Sequence, residues 1–345
     1  MDRFVVAVVG ALGAVGQEML KTLEQRNFPV SKIKPLDIAQ NVGKEIVFNG
    51  KVVKVEEAKK GAFSDVDIAL FSAGGDASLV LAPIAVEEGA IVIDNSSAWR
   101  MDDNCPLVVP EVNPNSLKTH KGIIANPNCS TIQMVVALKP LHDLYTIKRV
   151  VVSTYQAVSG AGKKGIDALS SESKQKLDGQ EVNPSAFQHQ IAFNAIPQID
   201  VFLENGYTKE EMKMVHETHK ILDPKIKVCP TAVRIPVYRG HSESIAIELE
   251  KPVDLIEARK ALESAVGVIV VDDPSTSTYP MPIDSERIDA TMVGRLRLDP
   301  TVNNGLCFWV VANNLRKGAA LNAVQIAETM LTMNLLNSKQ KNETK

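Results

Sequence analysis

The chain has 345 residues, of which 45% are hydrophobic and 23% are charged, and its formal net charge is −3. This length and composition are typical of a globular protein with room for two domains. The near balance of charge gives no reason to expect nucleic acid or an anionic membrane as a partner, and no apolar run approaches the roughly 18 residues needed to cross a bilayer.

The N-terminal region predicts alternating strands and helices. Residues 5–9 form a continuous apolar run, which is typical of a strand buried on both faces. The loop GALGAVG follows at 10–16, then apolar residues at helical spacing, and a second strand near 33–38 completes a βαβ unit. Further predicted elements are strands at 67–71 and 90–94 and a helix at 79–88. The pattern predicts a parallel sheet with helices on both faces.

The glycine loop is the candidate nucleotide site. Its GxxGxxG spacing is weaker evidence than GxGxxG, but a strand precedes it and a helix follows, so backbone N–H groups could cradle a pyrophosphate. The alternative is a tight turn without a ligand. Asp37 ends the second strand, where an acidic side chain would bind a ribose 2′-hydroxyl and favour NAD. Among the residues that follow it, only Lys44 could supply charge to a 2′-phosphate.

The rest of the chain predicts a second domain. Its strand-like runs are joined by longer, proline-richer connections, which favours a mixed or antiparallel sheet. These runs are at 150–155, 244–249, 267–271 and 307–311. A helix is predicted from Gly318 to about Leu336 that could return to the first domain, and the polar tail at 337–345 is predicted to be disordered. We therefore assign residues 1–127 and 318–345 to the first domain and 128–317 to the second.

Cys129 stands in the segment ANPNCST, directly before a run predicted to be a helix that Ser130 or Thr131 could cap. A helix N-terminus favours a thiolate, and a thiolate attacks carbonyl carbon, so covalent acyl chemistry is one interpretation. The other is a small core residue. The four cysteines are far apart with no CxxC pair, so we expect neither a disulfide framework nor a zinc site, and a reducing cytoplasm suits them.

Short polar clusters supply candidate partners for a catalytic thiol. His241 lies in the loop RGHSE before a strand. Arg234 lies within an apolar run, where a buried guanidinium needs a partner such as a substrate carboxylate. Glu210 and Lys213 are three residues apart on a predicted helix, a spacing that favours a solvated surface ion pair over a site. Two further candidates stand beyond strand ends, Gln156 and Arg100.

The chain resembles the aspartate-β-semialdehyde dehydrogenase family from Gly10 to the last predicted helix. The motifs that carry the resemblance occur in the family's order: GALGAVG, IDNSSAWR, PNCST, STYQAVSGAG, VRIPVYRGHSES and NNLRKGAALNAVQIAE. Each is weak alone, but the combination is specific. The resemblance implies an α/β fold, with a Rossmann-like dinucleotide-binding domain and an α+β catalytic and dimerisation domain with a mixed sheet. It also implies a cytoplasmic homodimer that reduces L-aspartyl-4-phosphate with NADPH to L-aspartate-4-semialdehyde and phosphate, for the biosynthesis of lysine, threonine, methionine, isoleucine and diaminopimelate.

The resemblance further implies a role for each matching residue. Cys129 carries the acyl group, Gln156 orients the substrate, and His241 is the general acid/base. Residues implied to bind the substrate are Arg234 at its carboxylate, Glu210 at its amino group, Arg100 and Lys213 at phosphate, and Asn128. Residues implied to bind the cofactor are Gly10, Leu12, Gly13, Ala14, Val15, Gln40, Asn41, Ser72, Ser159, Gly160 and Asn314.

One loop departs from the family pattern. Members usually carry Ser-x-Arg-Ser-x-Gly after the second strand, where arginine and serine bind the 2′-phosphate of NADP, whereas this chain has Ile38, Gln40 and Asn41. We therefore predict that NADP works but that discrimination against NAD is weak. Two alternative functions stay open. N-acetyl-γ-glutamyl-phosphate reductase would show a Pro-Gly-Cys-Tyr-Pro-like motif, and a non-catalytic nucleotide-sensing protein would be free to lose Cys129 or His241.

Overall fold

The computed structural model describes residues 3–336, and the chain divides into two compact units. Within the described residues, the first unit contains 3–127 and 319–336, and the second contains 128–318. The tail at 337–345, for which we predicted disorder, lies outside the described residues.

The first unit is built around a parallel sheet. Its elements are β1 (Phe4–Val9), α1 (Ala14–Gln25), β2 (Val30–Asp37), β3 (Glu45–Phe48), β4 (Lys51–Lys54), β5 (Glu56–Glu57), β6 (Ile68–Phe71), α2 (Gly75–Glu87), β7 (Ile91–Asp94), β8 (Ile123–Ala125) and a C-terminal helix, Leu321–Thr332. The sheet has the order β5-β2-β1-β6-β7-β8, and β3 pairs with β4 as a separate antiparallel ribbon. This is the doubly wound order, in which the connections change direction between β1 and β6.

Both faces of β1 are buried, as its continuous apolar run predicted. Val6 and Val8 face a cluster that includes Ile326 and Met330 of the C-terminal helix, while Val5, Ala7 and Val9 face the opposite cluster. Helix α2 begins at Gly75, one turn before the predicted residue 79. The apolar periodicity underestimated the length of α2, because the first turn is held by a polar contact. In this contact Trp99 Nε1 donates to Ser78 Oγ across 3.0 Å.

The second unit contains the mixed sheet that the sequence predicted. Its elements are α3 (Cys129–Tyr145), β9 (Ile147–Gln156), α4 (Lys163–Leu177), α5 (Lys209–Ile221), β10 (Lys227–Arg234), β11 (His241–Leu249), α6 (Leu255–Ser264), β12 (Val268–Val270), β13 (Thr291–Asp299) and β14 (Gly305–Ala312). The strand order is β10-β9-β11-β14-β13-β12. Strands β10 and β9 are parallel, as are β12 and β13, and the other neighbours are antiparallel.

This strand arrangement gathers polar residues at one edge of the mixed sheet. Because β9 and β10 are parallel, their last residues, Gln156 and Arg234, are register partners. Because β11 runs antiparallel to β9, its first residue, His241, lies at the same edge. Residues far apart in the chain therefore become neighbours.

Two further predicted helix boundaries are wrong. Neither Ser130 nor Thr131 caps α3, because the helix already begins at Cys129 and both residues lie in its buried first turn. The final predicted helix is interrupted, since Arg316–Ala320 forms a π-helical turn before the α-helix proper. In the part of the chain that the structure describes, no helix combines the length and apolarity needed to cross a membrane.

Candidate active site

Cys129 is the first residue of α3, and its thiol is half-buried. Its Sγ lies 3.7 Å from Oδ1 of Asn128, which accepts a hydrogen bond from the thiol. On another side is Gly318, where an added Cβ would come within 2.7 Å of the Cys129 Cβ. Any side chain at position 318 would displace the nucleophile, so a glycine is needed there. The helix N-terminus gives the thiol electropositive surroundings.

Asn128 joins the start of α3 to helix α5. Its backbone N–H donates to Oε2 of Glu217 across 2.7 Å, and its Nδ2 donates to Oε1 of Glu210 across 2.9 Å. Nε2 of Gln156 donates to the same Glu210 oxygen across 3.2 Å. All four side chains are buried. Hydrogen bonds are electrostatically stronger in such surroundings, so this network holds the residue before the nucleophile firmly in place.

Glu210 and Lys213 belong to this buried network. Lys213 Nζ lies 3.1 Å from Oε2 of Glu210 and 3.1 Å from Oδ2 of Asp200. Burial raises the pKa of Glu210, but the Lys213 charge and the hydrogen bonds from Asn128 and Gln156 lower it to about 2. Burial lowers the pKa of Lys213, and the two carboxylates raise it above its ordinary value. The predicted ion pair is present, but the prediction that it is solvated is wrong for Glu210, which α5 packs inside at 6% exposure, whereas the Lys213 side chain is 26% exposed.

Arg234 ends β10 and is 5% exposed. Its Nη1 donates to the carbonyl of Ala157 across 2.7 Å, and its guanidinium carbon lies 5.7 Å from the centre of the Phe187 ring. The buried Nε has no hydrogen-bond partner among residues 3–336. Burial lowers the pKa of Arg234, and the charge of Glu210 opposes this effect. A buried guanidinium with donors to spare is suited to receive a carboxylate.

His241 begins β11 and is fully buried. Its Nδ1 accepts a hydrogen bond from the N–H of Ala157 across 3.1 Å, so the neutral ring carries its proton on Nε2. Burial and the Arg234 charge lower the pKa of His241 to about 3. An added Cβ at Gly160 would come within 3.4 Å of His241 Nε2 and 2.7 Å of Arg234 Nη1. The two side chains therefore approach the same small space, which a glycine leaves open.

Three predicted cofactor contacts lie in the second unit beside these residues. Asn314 Nδ2 donates to Oγ of Ser159 across 2.9 Å, and its Oδ1 accepts the N–H of Gly240 across 3.0 Å. Asn314 thus holds the loop directly before His241. Gly160 is the residue that leaves space for His241 and Arg234.

Sequence reasoning missed two buried carboxyl groups. Glu217 holds the N–H of Asn128, and it lies two turns along α5 from Glu210, a spacing that could have revealed it. Glu243 is fully buried two residues after His241 on β11, so strand alternation could have found it. Burial raises the pKa of Glu243 well above its ordinary value, and a hydrogen bond with the amide of Gln133 opposes this effect.

The first unit contains a cavity of about 430 Å³ where β1, β2 and β6 end. It is lined by Val9, Gly10, Leu12, Gly13, Asp37, Ile38, Asn41, Ala58, Ser72, Ala73, Ala77 and Leu81. A Cβ added to Gly10 would lie 2.6 Å from the carbonyl oxygen of Ser72. A Cβ added to Gly16 would lie 2.2 Å from the carbonyl oxygen of Gly10. These glycines permit a close turn into α1, whose N-terminal N–H groups suit a pyrophosphate. The residues therefore fit a dinucleotide.

Asp37 accepts hydrogen bonds from two other residues of the cavity wall. Its Oδ2 accepts the N–H of Leu12 across 3.2 Å, and its Oδ1 accepts from Nδ2 of Asn41 across 2.8 Å. Asn41 in turn accepts a hydrogen bond from Nζ of Lys44 across 2.6 Å. Lys44 is thereby held next to Asn41, a residue of the cavity wall. The separation of Lys44 from Asp37 in the sequence did not suggest this position.

Three other predicted cofactor contacts in this unit are absent from the cavity wall: Ala14, Val15 and Gln40. Ala14 and Val15 begin α1, and the Val15 side chain packs against the core. Gln40 is exposed on the short 3-10 turn Ala39–Asn41.

Arg100 also belongs to the first unit and is 7% exposed. Its Nε donates to the carbonyl of Asn126 and its Nη2 to the carbonyl of Asn95, each across 3.0 Å. Nδ2 of Asn126 donates to Oδ1 of Asn95 across 2.6 Å, which fixes both acceptors. The guanidinium is therefore rigidly held.

Two family descriptions match the chain. "Semialdehyde dehydrogenase, NAD binding domain" matches residues 5–120, and "Semialdehyde dehydrogenase, dimerisation domain" matches residues 138–317. Together these matches cover most of both units.

Individual relatives agree with these matches. The aspartate-semialdehyde dehydrogenase of Aquifex aeolicus is 57% identical over 337 residues, covering 96% of this chain and 99% of the relative. That of Bacillus subtilis is 52% identical over 340 residues, covering 96% and 98%. The crystal structure of aspartate semialdehyde dehydrogenase II from Vibrio cholerae complexed with ASA is 49% identical, with a TM-score of 0.94 and coverage of 96% and 99%.

Proposed function

The chain belongs to the aspartate-semialdehyde dehydrogenase family, and from this membership we propose how its residues carry out the reaction. It is an oxidoreductase of amino-acid biosynthesis with a nicotinamide cofactor. The two alternatives, an acetylglutamyl-phosphate reductase and a nucleotide sensor, are not favoured, since its relatives at 52–57% identity are aspartate-semialdehyde dehydrogenases. The observation that carries the residue assignment is the convergence of Gln156, Arg234 and His241 at one edge of the mixed sheet. Asn128, the residue before Cys129, is joined to Gln156 through the Glu210 carboxylate.

The thiol of Cys129 forms the covalent intermediate. As a thiolate, its sulfur attacks the acyl carbon of L-aspartyl-4-phosphate, the bond from that carbon to the phosphate oxygen breaks, phosphate departs, and a thioester remains. The chemistry that a reduced nicotinamide supplies when bound is hydride donation to an acyl carbon. With that hydride supplied, the Cys129 sulfur would leave the acyl carbon as a thiolate, and L-aspartate-4-semialdehyde would be released.

His241 and Gln156 act on the reacting carbonyl. The Nε2–H of His241 can donate a hydrogen bond to the oxygen that gains negative charge, because Nδ1 accepts the N–H of Ala157 and the ring proton is therefore on Nε2. Acting as a base in the reverse direction requires His241 to give up that contact, since Nδ1 must then carry the proton. The amide of Gln156 orients the substrate from the end of β9, where the Glu210 network holds it.

The charged residues hold the two ends of the substrate. Arg234 binds the α-carboxylate through its spare donors, and the ionised Glu210 attracts the amino group. We assign phosphate to Lys213 and Arg100. Lys213 contacts both Asp200 and Glu210 in the absence of substrate. Bound phosphate would therefore replace one of these two carboxylates as a partner of Lys213.

For the cofactor we propose NADP, with NAD accepted at a comparable level. Asp37 places a negative charge in the cavity wall, which opposes a 2′-phosphate. Lys44, held by Asn41, places a positive charge close by, which favours it. The two effects offset each other, whereas a typical family member has an arginine in this loop.

Assays with aspartate semialdehyde test this function directly. The purified protein should reduce both NADP and NAD only when phosphate is present, and N-acetylglutamate semialdehyde should be inactive. Phosphate-independent turnover, or turnover of the acetylated substrate alone, would reject the proposal.

We also propose a homodimer in the cytoplasm. The match to a dimerisation domain over residues 138–317 supports the dimer, and a nucleophilic thiol requires a reducing compartment. Light scattering that gave a stable species near the 37.5 kDa of one chain at micromolar concentration would contradict the dimer.

A further inference from the structure

Phe187 has no part in the function proposed above, yet it touches the carboxylate-binding arginine. It lies between α4 and β10, and the Arg234 guanidinium carbon is 5.7 Å from its ring centre. The ring is half-buried and packs against a small apolar cluster that includes Val158, Leu169 and Ile191. An added Cβ at Gly165 would come within 3.2 Å of its Cζ atom, so α4 also confines the ring. Phe187 therefore contacts Arg234, helix α4 and the apolar cluster.

The segment that carries Phe187 is attached to Arg234 itself. The backbone N–H of Ile196 donates to the carbonyl of Arg234 across 2.9 Å, and the N–H of Arg234 donates back across 2.8 Å. The buried Glu172 accepts the N–H of Ile191 across 2.7 Å, and this fixes the middle of the segment. The ring and the guanidinium that it contacts therefore belong to one backbone-paired assembly.

The chemistry of the contact suits a receptor for an anion. Arg234 is buried, and its described contacts are the neutral carbonyl of Ala157 and the Phe187 ring. An aromatic face attracts a cation without neutralising its charge and without accepting its N–H donors in strong hydrogen bonds. A carboxylate in place of the ring would instead compete with the substrate for the fork of donors.

We propose that Phe187 is a positioning residue, whose ring fixes the Arg234 guanidinium in the orientation that receives the substrate α-carboxylate. The proposal rests on the carboxylate-binding role of Arg234 given above. It predicts an effect on binding of the carboxylate end of the substrate, and none on the thiol chemistry or the cofactor.

The experiment compares Phe187→Leu, which removes the aromatic face, with Phe187→Tyr, which keeps it. Phe187→Leu should raise KM for aspartate semialdehyde by about 2- to 30-fold, the range of a cation–π contact, with kcat and KM for NADP changed less than about twofold. Phe187→Tyr should restore KM. Phe193, which is 65% exposed on the same segment, provides the matched control, and Phe193→Leu should leave every constant unchanged.

A substrate without the carboxylate makes the test specific. For 3-aminopropanal, which is aspartate semialdehyde without its α-carboxylate, Phe187→Leu should leave kcat/KM as in the wild type. Thermal melting checks that each variant is folded, and Phe187→Met replaces Phe187→Leu if the latter unfolds near the assay temperature.

Each outcome decides between the two proposals. If Arg234→Lys raises KM for aspartate semialdehyde but Phe187→Leu does not, or if Phe187→Tyr is as impaired as Phe187→Leu, the positioning role is wrong. An equal loss with 3-aminopropanal also rejects it, because the ring would then support the site as a whole. If Arg234→Lys itself leaves KM unchanged, the carboxylate role of Arg234 fails.

Discussion

The backbone N–H of Ala157 donates a hydrogen bond to Nδ1 of His241 across 3.1 Å. The carbonyl of the same Ala157 accepts Nη1 of Arg234 across 2.7 Å. One peptide segment directly after Gln156 therefore sets both the tautomer of the imidazole and the direction of the guanidinium. Backbone contacts of this kind survive changes in side chains, so the two residues can be tested by substitution without moving each other's support.

Replacing His241 tests the proton donor. His241→Ala should lower kcat by about 10²–10⁴-fold, the usual range for a positioned acid or base, and should change KM less. Because burial and Arg234 lower the pKa of His241 to about 3, the ring stays neutral from pH 5 to 8. The decrease of kcat at low pH, if any, should therefore be the same in the wild type and in His241→Ala. A loss confined to KM would make His241 a binding residue.

Replacing Cys129 tests the covalent step. Cys129→Ala should abolish turnover while calorimetry still detects cofactor binding, because the nucleotide cavity lies in the first unit. Cys129→Ser should retain at most a trace, since a serine hydroxyl stays protonated at neutral pH. Cys229→Ala provides a control at an exposed cysteine and should be fully active. Near-normal activity of Cys129→Ala would remove the thioester from the mechanism.

Two arginine variants test whether Arg234 binds the substrate carboxylate and Arg100 binds phosphate. Arg234→Lys keeps the charge but loses the planar fork, so it should raise KM for aspartate semialdehyde more than KM for phosphate. Arg100→Ala should show the opposite pattern. The measurement is a pair of saturation curves for each variant, with one substrate varied at a time. Equal effects of both variants on both ligands would contradict the assignment.

Cofactor choice is tested in the loop after β2. Gln40→Arg should raise the ratio of kcat/KM for NADP over NAD, because a charge-assisted bond contributes about 1.5–3 kcal/mol. Lys44→Ala should lower the same ratio, since Lys44 is held beside the cavity wall by Asn41. A wild-type preference for NADP above a thousandfold would contradict the proposal that the charges of Asp37 and Lys44 offset each other.

Glu243→Gln tests the raised pKa of the buried Glu243 carboxyl. Burial raises the pKa of Glu243 above its ordinary value of 4.5, so above pH 4.5 the folded state binds a proton that the unfolded state has released. Stability contributed at this position therefore falls as pH rises, by about 1.4 kcal/mol per pH unit until the folded-state pKa is reached. Urea unfolding at pH 5, 6, 7 and 8 should show Glu243→Gln gaining on the wild type as pH rises. A constant difference would show that Glu243 is ionised in the folded protein.

The sequence by itself determined the elements and the chemistry of single positions. The apolar run of β1 predicted a strand buried on both faces, because only a strand within a covered parallel sheet tolerates such a run. The glycine loop predicted the nucleotide cavity, because its turn admits no Cβ at Gly10 or Gly16. The order of several motifs indicated the family, and with it the thiol chemistry of Cys129.

Only the tertiary structure decided how these residues interact. The start of α3 is set by Glu217 of a distant helix, so local capping rules misplaced it. Glu210 and Lys213 have the spacing of a surface pair, and only the packing of α5 shows that Glu210 is buried. Arg234 meets Phe187 because the segment that carries Phe187 pairs with the backbone of Arg234 through Ile196, and such pairing depends on contacts that short-range sequence patterns do not encode.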